Sequence, residues 1–120
     1  MNESGENYLE TILVLTNRMG AVRSIDIARE LGYSKPSVSR AVGLLKADGF
    51  INTDTDGNIR LTDKGKEKAA GIFERHQLLT EFLATTAGVS REIAEADACR
   101  IEHIISQETF QGIVAYLHNI

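Results

Sequence analysis

The sequence predicts a mostly α-helical fold carrying one small two-stranded β hairpin, and three observations predict it. A short helix and a longer one are punctuated by Ser24, Gly32 and Ser34, at the spacing of a helix-turn-helix. Two β-prone runs directly afterwards flank Asp54-Thr55-Asp56-Gly57, a strong hairpin signal. Beyond them the segments around His76, from Cys99 to His103 and from Phe110 to Leu117 each read as helices, so the remainder is expected to be all-helical.

The first helix opens near Glu6, with Ser4 as its expected N-cap and Tyr8, Ile12, Leu15 and Met19 as its apolar stripe. Asn7 and Glu10 share a face at i, i+3. Ser24 is expected to cap a helix from Ile25 to Leu31 with Ile27, Ala28 and Leu31 inward, and Gly32 stops it. Ser34 then caps a helix over Lys35 to Lys46, where Pro36 falls in the first turn and its missing N–H costs little. Val38, Ala41, Val42 and Leu45 form its core stripe.

The outward face of that helix reads Lys35, Pro36, Ser37, Ser39, Arg40 and Gly43. Small polar side chains let a helix lie deep in a major groove, while Lys35 and Arg40 reach phosphates or base edges. Phe50 to Thr53 and Asn58 to Thr62 then make the wing of a winged helix-turn-helix, with Arg60 at its base against the DNA backbone. The acidic tip residues Asp54 and Asp56 oppose deep insertion of this wing. Candidate DNA contacts are therefore Ser24, Ser34, Lys35, Pro36, Ser37, Ser39, Arg40, Lys46 and Arg60.

Thr62-Asp63 caps the next helix, which carries Lys64, Lys66 and Lys68 early. A further amphipathic segment sets His76 among Ile72, Leu79, Phe82 and Leu83, where, taken alone and without a local partner, it reads as a half-buried structural imidazole rather than a ligand. In Ala98-Cys99-Arg100-Ile101-Glu102-His103, the residues Cys99, Glu102 and His103 fall at i, i+3 and i+4, one face of a helix. Thiolate, carboxylate and imidazole together suit Fe(II), Mn(II) or Zn(II). The same spacing also fits a helix with Cys99 in the core and Glu102 and His103 solvated. Ser106 caps a last helix whose stripe of Phe110, Ile113, Val114 and Leu117 either packs on the preceding helix or is covered by a twofold-related copy.

With 120 residues and 42% apolar content, the chain can bury one moderate core or two small ones. The net charge of −4 is segregated: residues 18–70 carry a net +3, while the flanks carry −7. A basic centre between acidic flanks fits a DNA-binding face joined to a cation-binding region. No apolar run is long enough to cross a bilayer and no signal pattern opens the chain, so a cytoplasmic protein without a membrane partner is expected. A single Cys excludes an intramolecular disulfide. Cys99 and His103 also make a Cys-His pair, but no oxyanion-hole loop or substrate cleft signal accompanies them. Neither an enzyme nor a small organic substrate is expected.

Several local matches give the chain a wider resemblance. Asn7-Tyr8-Leu9-Glu10-Thr11-Ile12, Ile27-Ala28-Arg29-Glu30-Leu31, Ser34-Lys35-Pro36-Ser37-Val38-Ser39, Leu61-Thr62-Asp63-Lys64-Gly65, Arg75-His76-Gln77-Leu78-Leu79 and Ala98 to His103 occur in this order. In them the chain resembles the diphtheria-toxin-repressor family of metal-dependent transcriptional repressors, especially its short manganese-responsive members. The resemblance implies a winged helix-turn-helix DNA-binding domain over residues 1–70 and a metal-binding and dimerisation domain over residues 71–120. It implies that Asn7, Glu10, His76, Cys99, Glu102 and His103 bind a divalent ion, Fe(II) or Mn(II), with Zn(II) or Co(II) also admissible. A homodimer would then grip a near-palindromic double-stranded operator, controlling metal uptake genes.

Two positions depart from the short manganese members, which have an acidic residue where Asn7 and Cys99 stand. Cys99 matches the iron-responsive branch, whose Met is replaced here by Asn7, and its sulfur favours Fe(II), Zn(II) or Co(II) over Mn(II). At an auxiliary site of that branch, Thr80 and Glu95 replace a carboxylate and an imidazole, so that site is expected to be altered or absent. A sequence ending at Ile120 is expected to be the compact form without the SH3-like domain of long members. The alternative is a winged-helix regulator that uses the same DNA face without metal.

Overall fold

A computed structural model describes residues 1–119 and divides the chain into two compact units, residues 1–70 and 71–120. In order, the elements are α1 (Glu3–Met19), α2 (Ser24–Leu31), α3 (Lys35–Ala47), β1 (Ile51–Thr53), β2 (Ile59–Leu61), α4 (Asp63–Ala87), α5 (Arg91–Ile101) and α6 (Gln107–His118). The expected mostly α fold with a winged helix-turn-helix is what forms. No helix is long and apolar enough to cross a membrane among the described residues.

The first unit is organised by helix caps that the sequence largely announces. α1 begins two residues earlier than expected, because Asn2 rather than Ser4 supplies the side-chain oxygen that accepts the Gly5 N–H at 2.8 Å. Tyr8, Leu9, Ile12 and Leu15 are buried, whereas Met19, the last residue of the helix, is exposed. α2 is capped at Arg23, one residue before Ser24, and the Asp26 carboxylate accepts the Arg23 N–H at 2.9 Å. Gly32 ends it in a left-handed conformation that a residue with a Cβ adopts only at a cost. α3 starts where expected, with the Ser34 hydroxyl oxygen accepting the Ser37 N–H. Val38, Val42 and Leu45 are buried and Ala41 half-buried.

The hairpin is antiparallel, with Ile51 opposite Leu61, Asn52 opposite Arg60 and Thr53 opposite Ile59. A single bridge ties it to the segment before α2, the Ile59 N–H donating to Val22 O at 2.7 Å. Asp54 organises the turn by accepting the N–H groups of Asn58 and Asp56, each at 2.9 Å. Those donors, the Asn58 backbone first, hold its carboxyl below the usual carboxylate range. Arg23 reaches across to the Asp56 carbonyl, fixing the turn to the rest of the unit.

The two helical stretches expected on either side of residue 70 are one helix of 25 residues, α4. Its first turn is held by the Thr62 hydroxyl, which accepts the Gly65 N–H at 3.0 Å while donating to Gly49 O at 2.7 Å. Gly65 is needed for space, because a Cβ there would lie inside the Phe50 carbonyl oxygen. Gly65→Ala is therefore expected to destabilise the protein by about 1–3 kcal/mol, as overpacking against backbone does; urea unfolding measures it, and an unchanged midpoint would contradict the close approach.

In the second unit Leu79, Ala98 and Phe110 form the buried centre, and Leu78, Leu83, Ile101, Ile105, Ile113 and Val114 pack around it. α5 is capped by Ser90 and α6 by Ser106, the latter as expected. Phe110, Ile113 and Val114 thus serve the unit's own core, and Leu117 is half-buried.

Candidate metal centre and nucleic-acid interface

Within the second unit, α4 and the end of α5 bring a carboxylate between two imidazoles. Glu102 Oε2 lies 3.5 Å from His76 Nδ1. Its Oε1 lies 3.1 Å from His103 Nε2. The side chains are enclosed: Glu102 is 1% exposed, His103 2% and His76 21%. Although both pairs are at ion-pair distance, neither carboxylate oxygen accepts a hydrogen bond of acceptable geometry among the described residues.

A buried carboxylate without hydrogen-bond donors costs several kcal/mol. A divalent cation removes that cost. Two imidazole nitrogens and a carboxylate, all largely shielded from water, are a donor set that borderline transition ions accept. The residues present therefore fit a metal ion by donor type, and the His76 and Glu102 ligand atoms lie close enough to share one.

The placement of the other expected ligands differs. Glu102 is the C-cap of α5 and His103 lies in the turn beyond it, so Cys99, Glu102 and His103 do not share one continuous helix face as the i, i+3, i+4 spacing suggested. Cys99 sits half-buried in the last turn of α5, outside any disulfide. In the first unit, Asn7 is half-buried on α1 and Glu10 is buried there. Thr80 and Glu95 also have defined places: the Thr80 hydroxyl donates to His76 O at 2.8 Å, and exposed Glu95 pairs with Arg91.

In the first unit α3 presents Lys35, Pro36, Ser37, Ser39, Arg40 and Gly43 to solvent, the face expected to meet DNA. Ser34 and Ser37 are already engaged, their hydroxyls 2.9 Å apart. Lys46 leaves that face to donate to Thr53 Oγ1 at 2.9 Å, and Ser24 is half-buried as the first residue of α2. Arg60 is 72% exposed and lies 3.8 Å from the Asp54 carboxylate, so the wing's own acid competes for it. Beside α3 a cleft of about 570 Å³ is lined by Ser4, Tyr8, Gly32, Tyr33, Ser34, Ser37, Arg40, Ala41 and Leu44. Burial, and next the neighbouring Tyr33, push the Tyr8 phenol up.

Sequence reasoning missed two arginines. Arg23 fixes the wing through Asp56 and Asn58. Arg75 donates to the backbone carbonyl of Glu102 at 2.8 Å. Only Arg75 left a trace in the sequence, as the immediate neighbour of His76.

Comparison with known proteins bears on both regions. The family model for the iron dependent repressor, N-terminal DNA binding domain, matches residues 1–59, and that for the iron dependent repressor, metal binding and dimerisation domain, matches residues 62–120. The chain is similar to the transcriptional regulator MntR of Salmonella typhimurium, 38% identical over 111 residues that cover 92% of this chain and 70% of that protein. It is also similar to the iron-dependent repressor IdeR of Mycobacterium bovis, 33% identical over 122 residues, 99% of this chain and 53% of that one.

Among solved structures, T. acidophilum IdeR matches with a TM-score of 0.84 at 26% identity, covering 94% of this chain and 53% of that chain. A manganese-dependent transcriptional repressor in complex with manganese matches with a TM-score of 0.85 at 26% identity, covering 95% and 52%. The chain thus spans about half the length of the IdeR relatives and of these solved structures.

Proposed function

The chain belongs to the iron-dependent-repressor family of metal-dependent transcriptional regulators, which are not enzymes, and from that premise we propose that it represses genes by binding a near-palindromic operator as a homodimer when a divalent transition ion is bound. One observation carries the metal half of this reading: the enclosed Glu102 carboxylate flanked by the His76 and His103 imidazoles. When bound, a divalent cation supplies the positive charge that lets such groups share a small water-poor volume.

His76, Glu102 and His103 hold the ion in this proposal, with Cys99 from the last turn of α5 and Asn7 and Glu10 from α1 completing the set. Glu10 is buried on α1 and offers a carboxylate oxygen of the kind such ions accept. Sulfur from Cys99 favours Fe(II), Zn(II) or Co(II) over Mn(II), although Mn(II) remains within the oxygen and nitrogen chemistry of the other ligands. Family membership makes metal uptake genes the proposed targets and the cytoplasm the proposed location.

The DNA half rests on α3, whose exposed face of short polar side chains carries two cations, Lys35 and Arg40. Ser37, Ser39 and Pro36 are proposed at base edges, Ser34 and Ser24 near the backbone, and Lys46 and Arg60 as phosphate partners that must first release Thr53 and Asp54. Dimer contacts are assigned to Leu117 and the outer edges of Ile113 and Val114, with Phe110 supporting them from inside. A dimer would set two α3 helices about one DNA turn or a multiple apart.

The test is operator affinity by fluorescence anisotropy, on DNA selected from a random pool, with chelator alone and with Mn(II), Fe(II), Zn(II) or Co(II). At least one ion is expected to tighten binding about 5- to 150-fold, the range of an allosteric coupling of about 1–3 kcal/mol. Equal affinity with chelator and with every ion would refute the proposal and leave a metal-independent winged-helix regulator.

A further inference from the structure

We propose that Arg75 is the positioning residue of the metal centre: by taking the Glu102 carbonyl it ends α5 and turns His103 onto the Glu102 carboxylate. This rests on the metal-binding reading above.

α5 stops differently from the helices before it. α1 ends at Gly20 and α2 at Gly32, while α3 and α4 are followed closely by Gly49 and Gly88, and all four glycines have positive φ. After Ile101, by contrast, come Glu102, His103, Ile104 and Ile105, none of which favours a left-handed conformation. Glu102 itself stays right-handed at φ −59° and ψ −25°. The sequence offers no local stop.

The stop comes instead from α4. Arg75 Nη2 donates to Glu102 O at 2.8 Å, while its Nη1 donates to Gln107 Oε1 at 3.0 Å. The guanidinium also lies over the Phe110 ring, 4.7 Å from its centroid. In a continuing helix the Glu102 carbonyl would accept the N–H of residue 106. Here Ser106 instead caps α6, and the Ile104 N–H, which a continuing helix would give to Arg100 O, donates to Ile101 O at 3.1 Å.

That break has a consequence for the ligands. Consecutive residues of an α-helix point in directions about 100° apart and do not face each other. Glu102 and His103 are consecutive, yet Oε1 and Nε2 are 3.1 Å apart with both side chains enclosed. Their approach depends on His103 leaving the helix. Since Arg75 immediately precedes His76, the same short segment of α4 supplies one ligand and shapes the other two.

The test is a Co(II) titration of wild type, Arg75→Lys, Arg75→Met and His103→Ala, reading the dissociation constant, the visible spectrum at saturation and the thermal midpoint of the metal-free protein. Arg75→Met is expected to weaken Co(II) about 10- to 100-fold, as loss of groups that orient ligands does, and to shift the ligand-field bands in the direction His103→Ala does. Arg75→Lys, able to reach one acceptor but not to span two, recovers part of the affinity.

Wild-type affinity and spectrum in Arg75→Met would overturn the proposal, as would a lowered thermal midpoint with both unchanged, which marks a merely structural role. If Arg75→Met does not fold, Arg75→Lys decides: severalfold weaker binding with altered bands supports the assignment, and wild-type values overturn it. Absence of Co(II) binding by the wild type would instead refute the metal reading itself.

Discussion

Glu102→Gln is expected to abolish the metal response of operator binding while leaving the fold intact. Gln has nearly the same shape, so the enclosed site keeps its packing, but it removes the charge that both imidazoles flank and one strong oxygen donor. Loss of a charged ligand weakens a divalent site more than the roughly 10- to 100-fold typical of outer-shell changes. Operator affinity with saturating wild-type levels of ion should then fall to the chelator value, a loss equivalent to the whole coupling of about 1–3 kcal/mol.

Circular dichroism melting of the metal-free variant separates this from unfolding: a midpoint at or above wild type is expected, because a costly buried charge is gone. Isothermal titration calorimetry reads the metal affinity. Persistence of ion-stimulated DNA binding in Glu102→Gln would remove the site from the mechanism.

Arg40→Ala should reduce operator affinity about 5- to 150-fold, the equivalent of losing about 1–3 kcal/mol of a direct DNA contact. Arg40 is exposed on α3 and makes no ion pair there among the described residues, so little folding free energy is at stake. The salt dependence distinguishes two roles. If Arg40 meets a phosphate, the slope of log affinity against log salt falls by about 0.9 and all sequences weaken together; if it reads a base edge, specificity relaxes at one position with the slope retained. Unaltered affinity for both operator and unrelated DNA would place the DNA face elsewhere.

Much of the first unit was legible because its signals are local. Ser34, Pro36, Gly32 and the Asp56-Gly57 turn each act through the backbone of their immediate neighbours, so a short window of sequence contains the whole interaction. Where caps competed, the reading slipped by one or two residues: Asn2 displaced Ser4, and Arg23 with Asp26 displaced Ser24. In the second unit the stripe of α6 was legible but its use was not. Phe110, Ile113 and Val114 turn toward Leu79 and Ala98, a choice that depends on which apolar faces the chain itself brings together.

The sequence by itself determined the helix-turn-helix and wing, the exposed polar face of α3, and the types of side chain offered to a metal, because periodicity, capping and donor chemistry are properties of neighbouring residues. Only the tertiary structure decided where α5 ends and hence how His103 meets Glu102. That stop is made by Arg75, 27 residues earlier in the chain, and a hydrogen bond across such a separation leaves no pattern in the local sequence.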